Sequence, residues 1–468
     1  MSKPQFTGTA AAVAQVRTFT PGGTITAGDV NTLTATLEDG STVAASYTAL
    51  SSPTAATVSA GLIAAWAANA TLAALATASG TSTVVLTAAA AGVPFNVAPS
   101  VTGVGTLTAA NTTASSGPND WNVAANFTPA AVPVAGDDGY LRNCSRDVSY
   151  GLNQSAVTLA TLAVDMTMTG KVGTASAWFR IGATSWRIGD PGGDGQAGTG
   201  SPRVKIDFGG AAFSGVVVNS YDQQSADAGL EPVQLKGTHA GNELIVLGGR
   251  VGVATVSPSD VATLANWTVT GNSAVLNLGP GVTWTNGFQT AGFVKVTSGG
   301  AAFTQDGGTA LFQGTGVVRA LTVGGSALLN QRPLAKSISG VGRTGSTATA
   351  TSTAHGYANG DTVYVAGAAE ADFNGFKTIS NVTTNTFDYT VPSTAPASAT
   401  GTITGLKAIA TLTGVAGGVA DFSADGRDVA IATLVPVPGF TVKVNAARPN
   451  HLIVGATTRS GVATLKYE

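Results

Sequence analysis

Between Val261 and Gly325, glycines recur at 271, 279, 281, 287, 292, 299–300, 307–308, 314, 316 and 324–325, and only short strands fit between them. Ala274-Val275-Leu276-Asn277-Leu278, Phe293-Val294-Lys295-Val296 and Ala310-Leu311-Phe312 are such runs. The clusters return about every eight or nine residues, so two or three strand–turn units make a coil of roughly 20–25 residues, a period that signals a solenoid. In such a coil Val, Leu, Ile and Phe stack inward as ladders, Thr, Asn, Ser and Gln face outward, and glycine turns the corners with positive φ. A β-sandwich also shows short strands with regular turns and is the competing architecture. The punctuation extends over about 139–330.

The flanks read differently. Thr32–Leu37 alternates with period two and meets Asp39-Gly40, a hairpin signal. Leu62, Ile63 and Trp66 fall at helical spacing behind Ser59, which predicts a helix over 59–69 capped by Ser59, with Leu72 and Leu75 in a second turn or helix. Trp66 reads as the anchor of that helix on a sheet, against a ligand-platform alternative. Strands are expected at Thr83–Thr87 and Pro94–Val97. Ser115–Asp120 has linker composition. The expected layout is a small α/β attachment domain over 1–116, a solenoid over 117–336, an inserted module over 337–404, and strands completing the solenoid over 405–468, Asp428–Val435 and Phe440–Val444 among them.

Three stretches carry resemblances. Ala60–Asn69, Thr83–Thr87 and Gly92-Val93-Pro94-Phe95 resemble a small module repeated across phage structural proteins. Trp121-Asn122-Val123-Ala124-Ala125-Asn126-Phe127, followed by Pro133…Gly136-Asp137, resembles the opening coil of right-handed β-solenoids, in which bulky residues plug an otherwise open end. His355-Gly356-Tyr357…Gly360-Asp361-Thr362-Val363, Phe373-Asn374-Gly375 and Thr386-Phe387-Asp388-Tyr389 resemble a small β-barrel module of phage tail and fibre proteins. Lys336–Ile338 and Thr404–Leu406 are expected to rejoin one coil around it. Together with Tyr150–Ser155, Leu159–Val164, Thr169–Val172, Arg180–Thr184 and Lys236–His239, the arrangement resembles a family of bacteriophage virion structural proteins. The resemblance implies a mainly β fold: a right-handed parallel β-solenoid with a small N-terminal α/β domain and an inserted small β-barrel module.

Composition narrows function. Charged residues are only 10% of the chain and the formal net charge is −2, so there is no field for nucleic acid, which is held by Lys and Arg on phosphates. One cysteine, Cys144, rules out an intramolecular disulfide framework; it reads as a buried thiol, with an intersubunit contact as the alternative. The N-terminus lacks a secretory apolar core, and no window approaches about 18 apolar residues. A surface-type composition without an export signal fits a virion exterior protein made in the host cytoplasm.

The histidines and acids are the side chains that could carry chemistry. His355 lies in a turn motif with no nucleophile pattern nearby, and His239 and His451 are remote in sequence, so no metal spacing exists. A glycan-cleaving spike needs paired carboxylates; the candidates are Asp137, Asp138, Asp190, Asp194, Asp207, Asp222, Asp227 and Glu231, with no two shown to converge. Gly189–Gly195 superficially resembles a calcium loop without the ligand spacing. Tyr140, Tyr150, Trp178, Phe179, Trp186, Tyr221, Trp267 and Trp284 fill coil cores and trimer seams or, alternatively, form an exposed sugar-binding stripe. No catalytic, cofactor or metal residues are assigned. The expectation is a non-enzymatic virion component, first a capsid decoration or head-fibre protein, second a tail fibre or tailspike on host surface glycan, with a glycan hydrolase or lyase and a bacterial adhesin as rivals. Its partners are then itself, as a homotrimer of three-sided coils, and the major capsid or tail proteins, with 1–114 as the anchor; neither nucleic acid nor membrane insertion is expected.

Overall fold

The computed structural model describes residues 2–190, 204–218, 231–314, 317–331, 335–424, 427–448, 451–458 and 464–467. The fold is mainly β, a parallel β-solenoid, and the chain divides into two compact units, Met1–Gly209 and Gly210–Glu468.

In the first unit, β1 (Gln5–Phe6) precedes an α/β module of β2 (Val16–Gly23), β3 (Val30–Thr36), β4 (Thr42–Thr48), α1 (Ala55–Ala68), α2 (Ala70–Leu75), β5 (Ala76–Ser79), β6 (Val84–Ala88), β7 (Asn96–Thr102) and β8 (Gly105–Thr113). Its sheets run β5-β6-β2-β8 and β4-β3-β7, and α1 buries Val58, Leu62 and Trp66 against Phe19, Leu33 and Val84. The Trp66 indole donates to the Ala76 carbonyl at 2.8 Å, so the ring anchors the helix. The helix starts a turn earlier than expected. Thr54 caps it, exchanging bonds with Thr57, while Ser59 is buried within the helix.

Residues 1–116 do not form a self-contained domain on a loose linker. β1 leaves the module and pairs antiparallel with β9 (Phe127–Thr128) and parallel with β10 (Asp138–Leu141). The linker is packed. Fully buried Asn126 donates to the carbonyls of Gly117 at 2.7 Å and Asp120 at 2.8 Å, and accepts from the Ala10 amide at 2.8 Å. Trp121 fills the first coil, with ring centroids 6.0 Å from Phe6, 5.0 Å from Phe127 and 4.8 Å from Phe179. An end that would expose apolar core is thus closed by aromatic rings.

From there β10, β11 (Asn153–Asp165) and β12 (Phe179–Asp190) stack in parallel register. Thr161 pairs with Asp138 and with Ser185, so a coil consumes 23 and then 24 residues. The walls between are bridges, Cys144 to Met168 and Val148 to Val172 to Val204. A further row pairs Asn153 with Arg180 in register, and β13 (Val204–Asp207) lies beside Phe179–Arg180.

In the second unit the coil has two strands rather than three sides. One ladder runs Glu243–Val246, Ala262–Val269, Val282–Gln289, Gly300–Gln305 and Val318–Val323; the other runs Arg250–Val253, Val275–Leu278, Phe293–Val296, Thr309–Gly314 and Ser326–Gln331. Val275 pairs with Phe293 and Phe293 with Thr309, so coils shorten to 18 and 16 residues. Val251, Leu276, Val294, Ala310 and Ala327 form one inward row, each buried.

Glycine serves these coils chiefly by lacking a side chain. Among the described residues of 261–325, only Gly292 and Gly308 take positive φ. At Gly271 an added Cβ would overlap the Leu247 carbonyl of the preceding coil, and at Gly287 and Gly300 it would overlap the Trp267 and Trp284 rings.

Residues 336–408 form a closed antiparallel module around Phe373, Phe387 and Tyr389. Its last strand, Gly401–Gly414, pairs antiparallel with Thr362–Ala368 through Ala408, then parallel with Ala320–Val323 and with Ile431–Val435 from Ile409 onward. Lys336–Ile338 pairs antiparallel with Ile403–Gly405, so those segments close the base of the insert, and the coil is rejoined at 409–414. The solenoid then continues through Val419–Asp421, Val429–Val435, Thr441–Val444, Leu452–Thr457 and Thr464–Tyr467. Among the described residues, no helix is long and apolar enough to cross a membrane.

Candidate binding groove

The structure separates most of the sequence candidates. His355 is buried; its Nδ1 accepts from the Tyr357 amide at 3.0 Å, and its ring stacks on Tyr357 and meets Phe387 edge-on. His239 accepts from the Gly241 amide in its own turn, and His451 contacts the Arg448 carbonyl at 2.6 Å. Asp137 accepts from the amides of Ser2 at 2.9 Å and Val134 at 3.2 Å. Asp138 lies within β10, and Asp207 accepts from the Gly209 amide. Buried Glu231 is engaged by Gln234, Thr255 and Asn277. Asp190 ends β12. Asp194, Asp222, Asp227, Tyr221 and all of the Gly189–Gly195 loop beyond Asp190 lie outside the described residues. Cys144 is a free, buried cysteine, and burial pushes its thiol pKa up. Trp178, Phe179, Trp186, Trp267 and Trp284 are buried, so no aromatic stripe faces solvent there, and Tyr140 is half-buried beside the Arg142 guanidinium.

A different set of residues converges. Within the first unit, a groove of about 390 Å³ lies between the α/β module and the first coils. The module's wall is the β3–β4 turn with Glu38 and the Val93–Asn96 turn. The opposite wall is built by successive rungs: Asp120 bridges Tyr150, and Asn153 pairs with Arg180. Stacking at the strand spacing brings residues far apart in sequence into one column.

The electrostatics are set by burial. Asp120 is 5% exposed. Its Oδ1 accepts from the Asn122 amide at 2.9 Å, and among the described residues nothing donates to its Oδ2; partial loss of water raises its pKa. Glu38 is accessible along the groove, but neighbouring atoms crowd its carboxyl. That desolvation and, secondarily, the Asp120 charge raise its pKa. Tyr150 is half-buried, and burial followed by the Glu38 charge raises its phenol, which stays a donor at neutral pH. Among the described residues, no hydrogen bond occupies the Glu38 carboxylate, the Tyr150 hydroxyl or the Arg180 guanidinium. The groove thus offers free acceptors and free donors side by side over an apolar floor of Leu37, Pro94, Phe95 and Leu152.

Glu38 reads in sequence as a turn residue and Asp120 as part of a linker; nothing in their spacing shows that they meet, because the contact depends on how the module packs on the first coil. Among the described residues, no group of three or more His, Cys, Asp or Glu side chains could hold a metal ion. The likeness to phage structural modules rests on sequence motifs alone. No family model matches this chain, and no curated protein and no solved structure is detectably similar to it.

Proposed function

We propose that this chain is a non-enzymatic structural protein on the exterior of a bacteriophage particle, a capsid decoration or head-fibre protein assembled as a homotrimer. The non-enzymatic reading is supported by the acids singled out in the sequence: Asp137, Asp207 and Glu231 each tie local backbone or side chains; the carboxylates that do meet in a groove, Glu38 and Asp120, are the feature that would favour a glycan-cleaving enzyme. The phage assignment is supported by the motifs at Trp121–Phe127 and His355–Tyr389. Self-association is supported by the last described coil, where Val454, Leu465 and Tyr467 are exposed, and by closed symmetry being usual for homo-oligomers. Two-strand coils in the second unit remove the argument from a three-sided prism, so the trimer rests on those surfaces.

A second reading, a tail fibre or tailspike on a host surface glycan, is favoured by the groove at Glu38, Asp120 and Tyr150. Cryo-EM of particles containing the protein tests both. Density with icosahedral copy number on the capsid supports the first reading and density on the tail the second; absence of the chain from washed particles overturns both. Sedimentation of the purified protein as a monomer at micromolar concentration overturns the trimer.

A further inference from the structure

We propose that the groove between the α/β module and the first coils binds a neutral, hydroxyl-rich ligand, one or two pyranose rings of a polysaccharide, through Glu38, Asp120, Tyr150 and Arg180. This deepens the glycan-binding reading and rests on it for its biological setting; binding in solution does not depend on where the protein sits on a particle.

Charge excludes the alternatives first. A phosphate or sulfate would face two carboxylates with Arg180 as the one guanidinium among the groove's described residues. A calcium ion needs six to eight oxygens, and among the described residues no three His, Cys, Asp or Glu side chains gather here to supply them. A sugar hydroxyl both donates and accepts. It satisfies a carboxylate oxygen and a phenol or guanidinium hydrogen at once, which the free groups here require.

Burial supplies the second argument. Asp120 is only 5% exposed and its Oδ1 is taken by the Asn122 amide, while its Oδ2 keeps access to solvent and, among the described residues, receives no hydrogen bond. A ligand hydroxyl can donate to it. The apolar floor of Pro94 and Phe95 suits the C–H face of a pyranose, and a volume of about 390 Å³ lies near the lower end of small-molecule sites.

The test uses the whole chain on an array of neutral and acidic oligosaccharides, followed by calorimetry with the best neutral hit. Glu38→Gln, Tyr150→Phe and Arg180→Ala are compared with the unaltered protein, and circular dichroism checks that each is folded. The expected result is binding to neutral sugars that weakens about tenfold or more in each variant, the loss expected for one well-made polar contact. Failure of every neutral saccharide to bind at millimolar concentration overturns the proposal, as does binding that all three variants leave unchanged. Neither outcome alters the cryo-EM test, which reads placement on the particle.

Discussion

Two small modules are fastened to solenoid coils in this chain, and the fastenings differ in kind. The insert of the second unit is held by groups that satisfy one another. Asp361, 1% exposed, receives Arg319 and Lys407 at 2.8 Å each and the Ala358 amide at 2.8 Å; Arg319 also reaches the Asn359 carbonyl. The Tyr357 hydroxyl donates to the Gly405 carbonyl at 2.7 Å, and the strand Gly401–Gly414 is common to insert and coil. In the first unit, backbone lacing by β1 and the amide of Asn126 do the holding, while the facing side chains Glu38, Asp120, Tyr150 and Arg180 keep unused hydrogen-bonding capacity. The insert's joint is closed by groups that satisfy one another, while the α/β module's joint leaves polar groups facing a groove.

Four substitutions test this contrast. Asp361→Ala should have the largest effect, about 3 kcal/mol or more, because it strands Arg319 and Lys407 without their buried partner; limited proteolysis should then cut 337–404 well before the coils. Asn126→Ala should cost about 2–3 kcal/mol by leaving the Gly117 and Asp120 carbonyls and the Ala10 amide unpaired. Denaturant melts should show the α/β module loosening first. Tyr357→Phe removes one buried bond and should cost about 1 kcal/mol, read as a small fall in the melting temperature of the insert. Glu38→Gln should have the smallest effect and the opposite sign. The raised folded-state pKa means that the native protein binds the proton more tightly than the unfolded chain. This contribution to stability is full below the ordinary carboxylate range and is lost as pH rises through the raised value. The variant should match the parent near pH 4 and melt about 1–2 °C higher near pH 7.

Much of the solenoid was legible because its repeat writes itself into the chain. Runs such as Val275–Leu278 and Phe293–Val296 became strands in register, and Trp121 and Phe127 closed the first coil. Glycine placement was legible and its purpose less so: Gly271 and Gly287 permit close stacking between coils, a relation between residues about 20 apart that local turn chemistry does not contain. The strands β2 and β8 went unread because Val16–Gly23 ends in Pro-Gly-Gly and Gly105–Thr113 is small and polar, so neither shows strong alternation. Ser59 reads as a cap because its type suits one, yet Thr54 has the reciprocal bond with Thr57. The groove was not legible at all. Glu38 and Asp120 are brought together by tertiary packing, and each looks ordinary in its own stretch of sequence.

The strand shared by insert and coil also sets an order of events during folding. Ala320 must find Thr411, a partner 91 positions away, whereas neighbouring rungs close over 16–29 residues. Contacts so distant in sequence slow folding, and loop closure grows more costly with length. A folded insert removes that burden, because Lys336–Ile338 and Ile403–Gly405 are already paired at its base. The excursion then counts as a short hairpin. The insert should therefore act as a checkpoint: coils beyond Val419 can register only after 337–404 has closed. A core lesion there, Phe387→Ala, should delay refolding of the C-terminal coils while leaving those before Val323 at their usual pace, a separation that pulsed hydrogen exchange can read directly.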